Sequence, residues 1–166
     1  EMDGLLLSDG ERIIAFSMGS RMNRDYYDVG FEKAFPDVNG AYAMINREFS
    51  RMIAEKYPEV LFEGCSGGGG RFDAGMLCFH PQIWASDNSD AIARLKIQEG
   101  TALCYPLSSI GAHITTCPNH QLRRTTPFST RADVATFGSF GYELDAAKLS
   151  VEEKMEVKGQ IDRYHR

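Results

Sequence analysis

Apolar residues recur along the chain at two spacings, which together predict alternating helices and strands. Residues 39–57 carry apolar side chains every three or four positions, which places them on one face of a helix. The members of that face are Ala41, Met44, Ile45, Phe49, Met52 and Ile53. Pro58 ends the pattern, because the residue before a proline avoids helical geometry. Near the end of the chain, Ser150 followed by Glu153 predicts a capping box that opens a further helix.

Short apolar runs between the helical segments predict strands. They lie at residues 12–16, 59–65, 82–86, 102–105 and 140–144. A polar turn is predicted at residues 19–20, and helices at 89–98 and 130–137. This alternation favours a parallel α/β sheet, either open or as part of a barrel. Polar and glycine-rich segments follow the strands, and the carboxyl ends of parallel strands carry the chemistry in such folds.

Composition describes an ordinary globular chain. Of its 166 residues, 43% are hydrophobic and 25% charged, and 18 basic against 23 acidic side chains give a net charge of −5. These values exclude collagen, coiled coil and general disorder. The mild acidity predicts no nucleic-acid partner, and the lack of an apolar run of about 20 residues predicts no membrane partner.

Four widely spaced cysteines are too few for a disulfide scaffold, so we expect a reducing, cytoplasmic location. They also lack zinc-finger spacing, and no motif requires a cofactor or a metal. His113 and His120, seven residues apart, either are hydrogen-bonded loop residues or serve as acid–base groups or metal ligands.

Two segments carry candidate chemistry. The glycine run 67–70 lacks the spacing of a nucleotide-binding loop, so it is either a flexible turn or a loop that packs against another ligand. Trp84 lies in the predicted strand at 82–86, Asp87 follows that strand, and Asp90 is positioned to cap the next helix. An indole near a carboxylate at a strand end is common in sugar sites, where the carboxyl acts as a general acid.

Three longer segments are specific in combination. They read LFEGCSGGGGRFDAGML, PQIWASDNSDAIARLKIQEGTALCYPLSSIGAHITTCPNHQ and TRADVATFGSFGYELD. In this order they resemble glycoside hydrolase family 36, the α-galactosidases that act on melibiose and raffinose. The resemblance covers about residues 58–160. It implies a retaining mechanism on a (β/α)8 barrel, with two aspartates and a covalent galactosyl intermediate.

The resemblance also implies roles for individual residues. The family's acid/base falls on Asp87, its galactose-contacting cysteine and glycine on Cys65 and Gly68, and its tryptophan on Trp84. Asn23 matches a substrate-binding position. The implied partner is a galactosyl oligosaccharide, and full-length relatives are expected to be homo-oligomers. Specificity for N-acetylgalactosamine instead of galactose stays open.

The chain departs from the family at the nucleophile. The family carries KWDMNR there, whereas this chain has Gly19, Ser20 and Arg21 before a matching Met-Asn-Arg. An arginine cannot attack an anomeric carbon, and its charge opposes the developing oxocarbenium ion. Either the protein is a pseudo-enzyme or rearranged fragment, or the residues before Met22 come from a truncated or frame-shifted reading of an active gene.

A (β/α)8 barrel takes about 250 residues. We therefore predict that residues 1–166 are one partial catalytic domain, the C-terminal part of a TIM barrel with about four or five strand–helix units. Residues 1–21 are atypical for the family. We expect the chain to be an excerpt of a longer enzyme. On its own, this excerpt is expected not to hydrolyse galactosides. The alternative is a non-catalytic sugar-binding or inactive part-barrel.

Overall fold

The computed structural model describes residues 1–24, 26–65, 70 and 72–166. The chain forms two compact units. One comprises Glu1–Phe62 with Ala74–Phe79, and the other comprises Glu63–Asp73 with His80–Arg166. A single partial catalytic domain over residues 1–166 stays a prediction, because compactness alone does not define domain boundaries.

The first unit is an antiparallel sheet covered by a helix. Its strands are β1 (Met2–Asp9), β2 (Arg12–Arg21) and β3 (Tyr27–Ala34), paired in the order β1-β2-β3. Its helices are α1 (Ala41–Lys56) and the short α2 (Ala74–Leu77). The core joins α1 to the sheet through buried Ile14, Ala15, Ala41 and Ile45.

The helix predicted at residues 39–57 is confirmed as α1, although Met44 on the predicted face is 46% exposed. The predicted strand at 12–16 is part of the longer β2. The turn predicted at residues 19–20 is wrong, since Gly19 pairs with Asp3 and Ser20 with Asp28 inside the sheet. Sequence analysis did not predict β3, whose apolar Val29 and Phe31 are exposed and not part of a buried face.

The second unit is a parallel sheet with helices between its strands. The strands are β4 (Glu63–Gly64), β5 (Gln82–Trp84), β6 (Ile110–Thr115) and β7 (Ser139–Glu143), in the order β4-β5-β6-β7. The helices are α3 (Ala91–Ala102), α4 (Phe128–Ala135) and α5 (Val151–Tyr164), with 3-10 turns at Leu107–Ser109 and Ala146–Lys148. The parallel α/β prediction is confirmed for this unit.

Local signals fix the helix boundaries of the second unit. Asp90 caps α3, and its carboxylate accepts a hydrogen bond from the backbone of Ala93. The predicted capping box of α5 is present, since Ser150 and Glu153 exchange side-chain-to-backbone hydrogen bonds. The core between β6, β7 and the helices includes Ile114 and Phe128. Among the described residues, no helix has the length and apolar character needed to cross a membrane.

The strand predicted at residues 102–105 is wrong. Helix α3 extends through Ala102, and the Leu103 side chain beyond it is 84% exposed. The strand lies at Ile110–Thr115, where Ile110, Ala112 and Ile114 are fully buried. Because β6 is covered on both faces, its sequence shows no apolar–polar alternation. The predicted strands at 59–65 and 82–86 are shortened to β4 and β5.

We expect opposite effects of alanine at two glycines of the second unit. A Cβ at Gly138 would lie 2.5 Å from the Ile110 carbonyl oxygen, so Gly138→Ala should lower the free energy of unfolding by about 2 kcal/mol. A Cβ at Gly100, inside α3, meets nothing within 4 Å. Gly100→Ala should therefore stabilise the protein by about 0.5–1 kcal/mol. Urea unfolding followed by circular dichroism measures both; equal effects would contradict this packing.

Candidate functional site

The carboxyl ends of the parallel strands surround a pocket of about 570 Å³. Every one of the four strands of the second unit contributes, either directly or through the segment that follows it. The lining residues are Glu63, Cys65, Trp84, Asp87, Ser89, His113, His120, Gln121, Tyr142 and Glu143. The pocket thus lies at the sheet edge where the sequence predicts chemistry.

The Trp84 indole contacts one charged and one aromatic neighbour. The guanidinium carbon of Arg94 lies 4.4 Å from the centroid of the indole, and the His113 ring centroid lies 4.9 Å from it. Gly111 pairs with Trp84 on the adjacent strand, and a Cβ there would approach the indole to 3.0 Å. The missing side chain at position 111 therefore makes room for the indole.

Arg94 is a site residue that sequence reasoning missed. Its side chain is buried, and it donates hydrogen bonds to the carbonyl oxygens of Ser86 (3.2 Å) and Gly111 and to Gln98 Oε1 (3.1 Å). Burial lowers the pKa of the guanidinium to about 10, an effect that the Glu143 charge opposes. At neutral pH the group is a buried cation. Nothing in the sequence distinguishes an arginine that contacts an indole from any other arginine on a helix.

His113 is a strand residue, so the loop-residue interpretation does not apply to it. It lies in β6, and its ring extends over Gly141 of β7, where a Cβ would come within 2.6 Å of His113 Cδ2. His113 Nε2 is 3.9 Å from Glu63 Oε1. His120 follows β6 in a turn, as predicted, and lines the pocket. Among the described side chains, no group of three or more His, Cys, Asp or Glu could hold a metal ion.

Asp87 is exposed in the turn after β5, at the edge of the pocket. The Cys65 thiol donates a hydrogen bond to Asp87 Oδ1 with a sulfur–oxygen distance of 3.8 Å. Three predicted site residues, Cys65, Trp84 and Asp87, are thus brought together by β4 and β5. Their roles in sugar chemistry stay predictions.

The pocket does not test the roles of two other predicted site residues. Gly68, and most of the glycine run around it, lies outside the described residues. Asn23 lies in the first unit, between β2 and β3, where its Oδ1 accepts a hydrogen bond from the backbone of Tyr26 at 3.0 Å. Its assignment to a substrate site stays a prediction.

Asp90 has the capping role predicted for it. Its side chain is 1% exposed, and its Oδ2 accepts hydrogen bonds from the Ala93 backbone (3.0 Å) and from Arg124 Nη1 (2.8 Å). Arg124 belongs to the loop between β6 and α4. The ion pair therefore joins that loop to the start of α3, directly after the turn that carries Asp87.

A parallel α/β sheet whose candidate residues lie at the carboxyl ends of its strands is typical of an α/β-barrel enzyme. Comparison with solved structures agrees. The galactosidase domain of the α-galactosidase–sucrose kinase AgaSK superposes with a TM-score of 0.72 and 53% identity, covering 75% of this chain and 17% of that one. A variant of the family 36 α-galactosidase AgaA from Geobacillus stearothermophilus, in complex with stachyose, superposes with a TM-score of 0.70 and 46% identity. The match covers 87% of this chain and 21% of that one.

Sequence comparison identifies the family. The family model described as Melibiase matches residues 16–166. Curated relatives include AgaSK of Mediterraneibacter gnavus (51% identity, 86% of this chain) and α-galactosidase 1 of Pediococcus pentosaceus (46%, 99% of this chain). The chain belongs to the melibiase family of α-galactosidases, and its parallel sheet is part of a TIM barrel. The chain matches 15% and 22% of the lengths of these two relatives.

We expect the Arg124–Asp90 ion pair to matter for stability. Arg124→Ala leaves a buried carboxylate with one hydrogen bond fewer, so the free energy of unfolding should fall by about 2 kcal/mol. Arg123 is the matched control, because it occupies the same loop and its side chain is exposed. Arg123→Ala should change stability by less than about 0.5 kcal/mol in urea unfolding. Equal losses in both variants would show that the ion pair is not the cause.

Proposed function

We propose that this chain carries the acid/base side of an α-galactosidase active site, with Asp87 as the proton-transfer group. The observation that supports it best is the position of Asp87. Its exposed carboxylate lines the pocket at the carboxyl edge of the sheet, beside Cys65 and just after the strand that ends in Trp84. Solvent access allows a carboxyl to exchange protons with a leaving group and then with water.

The proposed ligand is the terminal galactosyl unit of an oligosaccharide. Solved relatives of this chain were crystallised with raffinose and with stachyose. The indole of Trp84 offers an apolar face for the C–H face of a pyranose. Cys65, Gly68 and Asn23 are proposed to contact the sugar, as the family resemblance implies.

The proposed proton transfers follow a retaining mechanism. Asp87 would donate its proton to the glycosidic oxygen as the bond to the anomeric carbon breaks, and a carboxylate on the opposite face would form a covalent glycosyl ester. Asp87, now a carboxylate, would then take a proton from the water that cleaves this ester. The second carboxylate is therefore as necessary as Asp87.

Arg21 occupies the position at which the family has its nucleophile. Its guanidinium forms an ion pair with Glu59 at 3.0 Å and lies 5.3 Å from the Tyr57 ring centroid. A guanidinium has no lone pair available for attack on carbon. We therefore propose that this 166-residue chain binds galactosides without hydrolysing them. This is the non-catalytic sugar-binding alternative, based on the same pocket.

Loss of hydrolysis is testable with p-nitrophenyl α-galactoside. The purified chain should release nitrophenol no faster than its Asp87→Asn variant, because the covalent step lacks its carboxylate. The control is α-galactosidase 1 of Pediococcus pentosaceus, assayed in parallel. A rate above that of Asp87→Asn in the same preparation would contradict the proposed lack of turnover.

Galactose binding is testable through the single tryptophan. Trp84 fluorescence should change saturably with galactose and not with glucose, because the indole lies in the pocket. Cys65→Ser should weaken binding several-fold, since the pocket thiol is replaced by a shorter hydroxyl. The matched control Cys104→Ser changes an exposed cysteine of another segment and should bind as wild type. No response to galactose would refute the proposed sugar site.

A further inference from the structure

The turn that carries Asp87 is fixed at a neighbouring residue. Ser89 is buried, and each of its three polar groups is bonded to the segment that begins at the end of β6. Its backbone N–H donates to Gln121 Oε1 (3.2 Å), its carbonyl accepts from Thr115 Oγ1 (3.0 Å), and its hydroxyl accepts from Asn119 Nδ2 (3.1 Å). These bonds fix the chain two residues beyond Asp87.

Gln121 also holds Asp87 itself. Its Nε2 donates a hydrogen bond of 2.7 Å to the carbonyl oxygen of Asp87, while its Oε1 accepts from Ser89. One amide group thus spans the two peptide groups that flank Asn88. The orientation of the Asp87 side chain depends on the peptide that this bond holds.

Asn119 fixes Gln121 in turn. Its Oδ1 accepts hydrogen bonds from the backbone N–H groups of Gln121 (3.0 Å) and Leu122 (2.8 Å), and its side chain is buried. The loop is closed by the Arg123 N–H, which donates to the Asn119 carbonyl at 2.8 Å. The Gln121 amide is therefore presented to the Asp87 turn by a rigid support.

We propose that Gln121 is a positioning residue for Asp87. It sets the Asp87 peptide so that the carboxylate points into the pocket and meets the Cys65 thiol. The importance of this placement rests on the proposed function, in which Asp87 occupies the acid/base position of the site. The placement itself does not depend on any sugar and can be tested without one.

The test uses Cys65 as a probe of the Asp87 carboxylate. In Gln121→Met the side chain keeps its length and loses both amide hydrogen bonds. The Asp87 turn should shift and release the Cys65 thiol, so its alkylation by iodoacetamide at pH 7 should become about threefold faster or more. Mass spectrometry of the peptides separates Cys65 from the other three cysteines.

A double-mutant cycle shows whether the effect passes through Asp87. In the Asp87→Asn background, Gln121→Met should change the alkylation rate of Cys65 much less than in the wild type. A general loosening of the loop would accelerate alkylation equally in both backgrounds, and that result would overturn the proposal. An unchanged rate in Gln121→Met alone would also overturn it.

Two further variants keep the test decisive. Gln121→Asn retains an amide but is one methylene too short to reach both peptides. It should therefore also accelerate alkylation of Cys65, and it replaces Gln121→Met in the test if that variant fails to fold. Arg123→Ala, in the same loop, should leave the rate unchanged. Suppose that Trp84 fluorescence does not respond to galactose but the double-mutant cycle shows coupling between Gln121 and Asp87. That combination would refute the sugar site and retain the role of Gln121.

Discussion

The pocket depends on a steric constraint between neighbouring parallel strands. Strands of a sheet lie about 4.8 Å apart, so a ring that leans sideways needs an empty position on the next strand. Gly111 provides that space for Trp84, and Gly141 provides it for His113. Because both spaces are open, the centroids of the two rings lie 4.9 Å apart, and the rings form one wall of the pocket.

A buried cation then fixes this aromatic wall. Arg94 contacts the Trp84 ring, and its hydrogen bonds reach the carbonyl oxygens after β5 and within β6. A cation over an indole is worth about 2 kcal/mol when it is desolvated. The burial that lowers the pKa of Arg94 also strengthens these contacts, because fewer waters compete for the guanidinium. The indole face is therefore rigid before any ligand arrives.

Sequence analysis predicted those parts of the molecule that depend on local pattern. Helix α1 followed from its periodicity, and the caps at Asp90 and Ser150 followed from residue type and spacing. Strand β6 did not, because a strand buried on both faces loses its alternation. Sheet pairing by β1 and β3 was also missed, since register is a long-range property.

The candidate site shows the same division. Cys65 and Asp87 follow strands and Trp84 ends one, so their convergence at one sheet edge was predictable from sequence. The positions of Arg94 and Gln121 in the site were not predictable, because both side chains bind carbonyl groups that are distant in sequence. A glutamine in a polar loop and an arginine on a helix have no distinguishing neighbours in the chain.

Binding and hydrolysis make unequal demands on such a site. Recognition of a pyranose needs an apolar face and a few polar groups, and Trp84, Cys65 and Asp87 all belong to the second unit. Retaining hydrolysis also needs a second carboxyl about 5 Å from the first. Arg21, which the family resemblance assigns to the position of that group, forms an ion pair with Glu59 within the first unit. In the proposed function, an arginine at this position removes a covalent step while leaving the groups proposed for recognition intact, so sugar binding is separate from catalysis.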